Sequence, residues 1–251
     1  MKLSLHGKGL LMCVLATVWI SPDALIMVWV GNTESGGTVI FWKYLFASLV
    51  AWTASAICLG GPRQVAQHIC ETGRYFVLGV LIMASCNALL SLAFMSTSSA
   101  NALLLFSLHT VWASLGGCLF LRDKLPLRTF AMVLVGVGSA VAVFAGGGHG
   151  DGESGEGSIG GDLMATGAGV GFASLMLLCR YLGKERPGVS TLPFAAGGCT
   201  LAMLIGLGLA VGDVALTRWW PGAMLLFVDG GLCIGLASPL PCCRAPTNHL
   251  L

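Results

Sequence analysis

Between Ser98 and Phe144 two apolar runs, residues 100–121 and 127–144, are separated only by Arg122-Asp123-Lys124-Leu125-Pro126. An apolar run of about 20 residues, rising 1.5 Å per residue as a helix, crosses a hydrocarbon core of roughly 30 Å. Helix is also the state that satisfies its own backbone polar groups in lipid. So short and basic a hinge stays at one membrane face and turns the second run back. The stretch therefore reads as a transmembrane hairpin.

The rest of the chain is of the same kind. Hydrophobic residues make up 56% of it and charged residues 10%, against about 25% charged in a soluble domain, and the mean hydropathy is +0.86. Six further apolar runs, at 10–30, 39–59, 75–95, 163–182, 192–211 and 219–240, bring the expected total to eight transmembrane helices. The first is too long for the apolar core of a signal peptide and lacks a small-residue cleavage site, so it reads as an uncleaved span, kinked at Pro22. Residues 146–161, GGGHGDGESGEGSIGG, are Gly-rich and acidic and form a linker rather than a core. The fold class expected is an all-α, multi-pass integral membrane bundle.

Charge placement orients it. Counting connections alternately, one side receives Lys2, Lys8, Arg63, Arg74, Arg122, Lys124, Arg128, Arg180, Lys184, Arg186 and Arg244. The other receives Arg218, Glu34 and the acids of the linker. The positive-inside rule then puts the N-terminus in the cytoplasm and the linker outside. No basic tract interleaved with aromatics is present, which sets nucleic-acid binding aside. The 10 cysteines are scattered, mostly within apolar runs and without a CxxC pair, and read as small packing residues rather than metal ligands or a disulfide framework.

The hairpin also carries a resemblance. Its order of small residues, apolar run, Arg-Asp-Lys-Leu-Pro-Leu (122–127) and Gly-rich span resembles the fourth and fifth helices of EamA-type carriers of the drug/metabolite transporter superfamily. Those carriers commonly have Pro after the Ser-Leu of the fourth helix, where this chain has Ser107-Leu108-His109. The resemblance is best over 98–146 and extends weakly over 8–240. It implies ten helices in two five-helix repeats, the second inverted because five is odd. On that plan residues 1–146 are the first repeat, 147–161 the linker, and 162–240 three helices of an incomplete second repeat. Residues 239–251, PLPCCRAPTNHLL, contain no apolar span, so the chain is expected to be a C-terminally truncated carrier with 241–251 as an atypical tail.

An ionisable group inside a membrane span is costly and marks function by default. Asp23 lies about 10 Å below the outer end of the first span and Lys43 about 6 Å below that of the second, depths that suit an ion pair. Lys43 snorkelling to the interface is the other reading; a basic residue here resembles the family pattern. Asn87, His109 and Asp229 fall near mid-depth, where a carrier holds its substrate. His109 is either a proton-coupling group or a neutral imidazole bonded to a neighbouring helix. A lone mid-depth carboxylate such as Asp229 is hard to explain by packing. Trp112, three residues after His109, is a cavity wall or a lipid-facing packer. Small residues at Gly167/Gly171, Gly231/Gly235 and along Gly198-Ala202-Gly206-Ala210 mark close helix packing.

The chain shows no HExxH, no GxSxG and no convergent acid–base pair, so an intramembrane enzyme is not expected, and no cofactor or metal is called for. The expected function is alternating-access transport of a small organic metabolite. The alternative is a transport-incompetent fragment that associates with other membrane proteins. Expected partners are membrane lipid and a small-molecule solute, with a homodimer left open.

Overall fold

The computed structural model describes residues 23–31, 35–121, 134–138, 141–142, 159–186, 188–210 and 220–230. Among them the chain is helical, without strands: α1 Asp23–Gly31, α2 Gly36–Leu59, α3 Pro62–Thr72, α4 Arg74–Ser96, α5 Ser99–Ser107, α6 His109–Leu121, α7 Ile159–Glu185, α8 Leu192–Leu209 and α9 Trp220–Leu226. Among the described residues five helical stretches are long and apolar enough to cross a membrane: α2, α4, the stretch Ser99–Phe120 made of α5 and α6, α7 and α8. Large apolar side chains such as Ile57, Leu119 and Phe120 stand exposed on the perimeter. On a water-soluble surface they would be an aggregation liability, and in a membrane they meet lipid. The half of the first span containing Pro22, the 122–126 hinge, residues 146–158 of the linker, Gly231/Gly235 and the 239–251 tail lie outside the described residues.

Local chemistry sets the helix ends. α2 stops at Gly60, whose φ of 86° is left-handed; its N–H returns to the Ile57 carbonyl and that of Gly61 to the Ala56 carbonyl, an ending that glycine adopts without strain. Pro62 then starts α3 in the first turn, where its missing N–H costs nothing. α4 and α5 are separated only by Thr97 and Ser98, and the Ser98 hydroxyl accepts the Asn101 N–H at 3.3 Å as a helix cap. α7 has Asp162 in its first turn and Lys184 in its last, the favourable order for the helix dipole.

The bundle is held by close backbone approaches rather than by large core side chains. α8 lies along α2: a Cβ on Gly206 would stand 2.6 Å from the Phe41 nitrogen, and one on Gly37 2.6 Å from the Ala210 nitrogen. The Gly198-Ala202-Gly206-Ala210 stripe is thus the seam itself, with Gly198 facing Met83 of α4. α7 packs on α4 through Gly171, seated against Cys86 Sγ, and on α5 and α6 through Gly169 and Leu177. Without a hydrophobic driving force between helices in lipid, such contacts supply the dispersion that holds them.

Two features depart from the expected span pattern. The connection between the second and third spans is not a loop but the amphipathic helix α3, with Val65 and Thr72 buried and Arg63, Gln64, Gln67 and Glu71 exposed. The fourth span is interrupted at Leu108, which forms a turn between α5 and α6 with its N–H on the Leu105 carbonyl. This break falls at the Ser107-Leu108-His109 position, although no proline occupies it.

The helices alternate in direction. Gly36, Met95, Thr97, Gly161 and Ala210 meet at one end of the bundle. At the other end the Arg186 guanidinium donates to the Glu71 carbonyl and the Tyr75 and Tyr181 rings lie 5.9 Å apart. Arg63, Arg74, Arg180, Lys184 and Arg186 all belong to elements at this second end.

Candidate functional site: a buried ion cluster

Three buried ions converge where α1, α2 and the segment following α9 meet. Asp23 stands in the first turn of α1 and Lys43 two turns into α2. Asp229 lies in a one-turn π-helical continuation of α9 at residues 227–230, a wound-out geometry found often at functional sites. The Lys43 ammonium donates to Asp23 Oδ1 and stands 3.2 Å from Asp229 Oδ2. The side chains of Lys43, Asp23 and Asp229 are 1%, 11% and 0% exposed.

Of the two readings of Lys43, the structure has the buried, paired one rather than snorkelling to the interface. The lysine shares its charge between two carboxylates, and neither Asp229 oxygen has a hydrogen-bond partner: the 3.2 Å approach is an ion-pair distance without hydrogen-bond alignment.

A second polar layer abuts the first. The Lys43 ammonium lies 5.7 Å from the centroid of the Tyr44 ring. The Tyr44 hydroxyl donates to the Asn87 carbonyl oxygen at 3.0 Å and stands 3.0 Å from Ser91 Oγ. The Asn87 side-chain amide in turn points to Cys199 Sγ on α8 at 3.9 Å. Each of these groups would be costly in lipid without a partner, and together they form a belt across α2, α4 and α8.

Not every expected site residue joins this assembly. Asp229 was grouped by depth with Asn87 and His109 and stands instead on Lys43. Asn87 belongs to the adjoining belt. His109, at the start of α6, has its Nδ1 2.9 Å from the Phe106 carbonyl oxygen and its ring edge-on to Phe172 at 5.2 Å, so its neighbours are aromatic and on α5 and α7. Trp112 is 40% exposed on α6.

Tyr44, Ser91 and Cys199 were not picked out from the sequence. Tyr44 adjoins Lys43, and Asn87 and Ser91 are four apart on one helix face; that spacing was the available signal. At the end of the bundle away from Arg186, Thr97 donates to Asp162 Oδ1 at 2.8 Å, joining the end of α4 to the start of α7.

A groove of about 290 Å³ lies elsewhere, between α4 and α7, lined by Leu81, Ile82, Ser85, Cys86, Leu89, Gly167, Gly171 and Ser174. None of the three ions lines it. Its Ser85 and Ser174 hydroxyls are spent on carbonyls of their own helices, which leaves an apolar furrow without recognition chemistry. Polar, desolvated and convergent, the ion cluster is the better candidate site. Compared with known proteins, the chain matches no protein-family model and no curated protein.

Proposed function

We propose that the chain is a multi-span carrier of the EamA type that moves a small organic metabolite by alternating access, without covalent chemistry. The observation that carries this reading is the Asp23–Lys43–Asp229 cluster, buried between three helical elements of an apolar bundle. Ions are retained inside membrane spans where they bind, relay or switch. Short helical segments meeting at such a point are characteristic of transporter sites.

The helix contacts add support for an inverted repeat. A two-fold relation that exchanges the first span with the sixth, the second with the seventh and the third with the eighth turns the α4–α7 contact into α9–α1. The same relation turns α4–α8 into α9–α2. Both members of each pair are in contact, and the second and seventh spans, α2 and α8, pack on each other as such an axis requires. The polar contacts follow the same exchange: Asn87 of α4 reaches Cys199 of α8, while Asp229 after α9 reaches Lys43 of α2. On this reading the chain has eight spans, five in the first repeat and three in the second. The end bearing Arg63, Arg74, Arg180, Lys184 and Arg186 faces the cytoplasm. Among the described residues the one buried cation, Lys43, is already shared by two carboxylates, which disfavours a multiply anionic solute that would call for further Arg or Lys.

The test is uptake by proteoliposomes containing the purified chain, across a panel of labelled amino acids, purines and sugars. Flux of at least one solute above empty vesicles, cut at least tenfold by Asp229→Asn at unchanged membrane abundance, is the expected result. Equal flux in the variant removes Asp229 from the site, and vesicles no leakier than protein-free ones across the panel argue against a carrier.

A further inference from the structure

Among the described residues the charges at the cluster do not balance. Two carboxylates face one ammonium, all three buried, and an uncompensated charge in such a place is expensive enough that the group neutralises instead. The Lys43 ammonium bonds Asp23 Oδ1 and stands 3.2 Å from Asp229 Oδ2, which brings the two carboxylates together on one cation, and two like charges that close do not both persist. Asp229, fully buried, has both oxygens without a hydrogen-bond partner. A proton on Asp229 answers these facts together: one of the two like charges on Lys43 is removed, the carboxyl gains a donor, and the cluster becomes neutral.

We propose that Asp23 and Asp229 hold one dissociable proton between them beside Lys43, making the cluster the proton-coupling site of the carrier. The coupling rests on the transport reading above; the proton itself does not. On binding, an O–H bond of a solvent hydronium ion breaks as a carboxylic O–H bond forms, leaving water, and nothing in the protein is oxidised or reduced. On opening of the cluster to water, the separated carboxylates no longer share it and it leaves to solvent, so the site loads in one conformation and discharges in another.

A metal ion is the poorer occupant. The Lys43 ammonium already sits against both carboxylates, and hard cations take about six or more oxygen ligands. Among the described residues no group of three His, Cys, Asp or Glu is placed to hold a metal.

The surroundings offer few rival titrating groups. α1, α5 and α9 contain no other acid or base, α2 adds Tyr44, and α8 adds Cys199. α4 presents Asn87 and Ser91, which do not titrate, and its Cys86 faces Gly171 instead.

Infrared pH titration of the purified full chain in detergent reads the proton directly. A carbonyl-stretch band of a protonated carboxylic acid is expected at neutral pH in potassium-, sodium- and choline-containing buffers alike, disappearing on alkaline titration. Asp23→Asn and Asp229→Asn should each abolish it, because the remaining carboxylate then pairs alone with Lys43. Asp229→Glu should retain it, and Lys43→Gln should increase it, since both acids then need protons. Circular dichroism and size-exclusion profiles confirm that each variant is folded.

Absence of the band in folded wild-type protein overturns the proposal. So does its persistence in either Asn variant, or its appearance only when sodium is replaced by choline, which would mean a metal cation takes the proton's place. A band behaving as expected, in a protein that moves none of the panel solutes, would keep the proton site while rejecting the carrier reading.

Discussion

Gly230 is seated directly on the backbone of Lys43: a Cβ on Gly230 would stand 2.0 Å from the Lys43 carbonyl oxygen. The approach of Asp229 to the lysine thus depends on a missing methyl group in the next residue. Gly230→Ala should displace the 227–230 turn and separate Asp229 from Lys43. Overpacking of this kind costs about 1–3 kcal/mol, which thermal unfolding in detergent will read as a lowered midpoint. An unchanged midpoint would mean that the turn does not rest on α2.

Removing the cation alone should harm the protein more than removing the whole cluster. Lys43→Met leaves Asp23 and Asp229 buried without a counter-charge and should destabilise by about 3–5 kcal/mol, whereas replacing all three ions by apolar residues of similar volume should come close to wild type. The triple variant should nevertheless transport nothing. Thermal unfolding of the two variants side by side checks this, and a Lys43→Met protein as stable as wild type would mean that the ammonium is solvated.

The α2–α8 seam makes a sharper prediction because the chain supplies its own control. A Cβ on Gly206 meets the Phe41 nitrogen at 2.6 Å, whereas one on Gly208 has nothing within 4 Å. Gly206→Leu should fail to accumulate in membranes, and Gly208→Leu, which faces outward, should accumulate normally. Equal abundance of the two would place the seam elsewhere.

Cys70 is exposed on α3, at the basic end of the bundle. With Cys70 as the sole cysteine, a membrane-impermeant maleimide should label permeabilised cells and leave intact cells unlabelled. Labelling of intact cells would reverse the orientation drawn from Lys and Arg placement.

The parts of this fold legible in the sequence are those written in single-residue chemistry. Apolar length located the five long helices, and the small-residue stripe of the seventh span located its packing face, because Gly and Ala at four-residue spacing have few other uses in lipid. The Asp23–Lys43 pair followed from the depths of two charges on consecutive spans.

What escaped depends on angles that spacing does not encode. Spacing gave Asp229 a depth but not a partner, and its meeting with Lys43 depends on how the turn at 227–230 sits against α2. The interruption at Leu108 has no proline to announce it. α3 did not stand out because its inward face is only Val65 and Thr72, buried, with His68 and Ile69 half-buried, too little apolar surface between two far more hydrophobic spans.

Accessibility of position 87 from the two sides of the membrane tests alternating access without knowledge of the solute. Asn87 is partly buried on α4 beside the ion cluster, in contact with α2 through Tyr44 and α8 through Cys199. With Asn87→Cys as the sole cysteine in reconstituted vesicles, an impermeant thiol reagent added to either face alone should label the protein, more slowly than at Cys70. Labelling from one face only would describe a fixed cavity, and labelling from neither a static bundle; each contradicts a carrier that opens this site alternately to both sides.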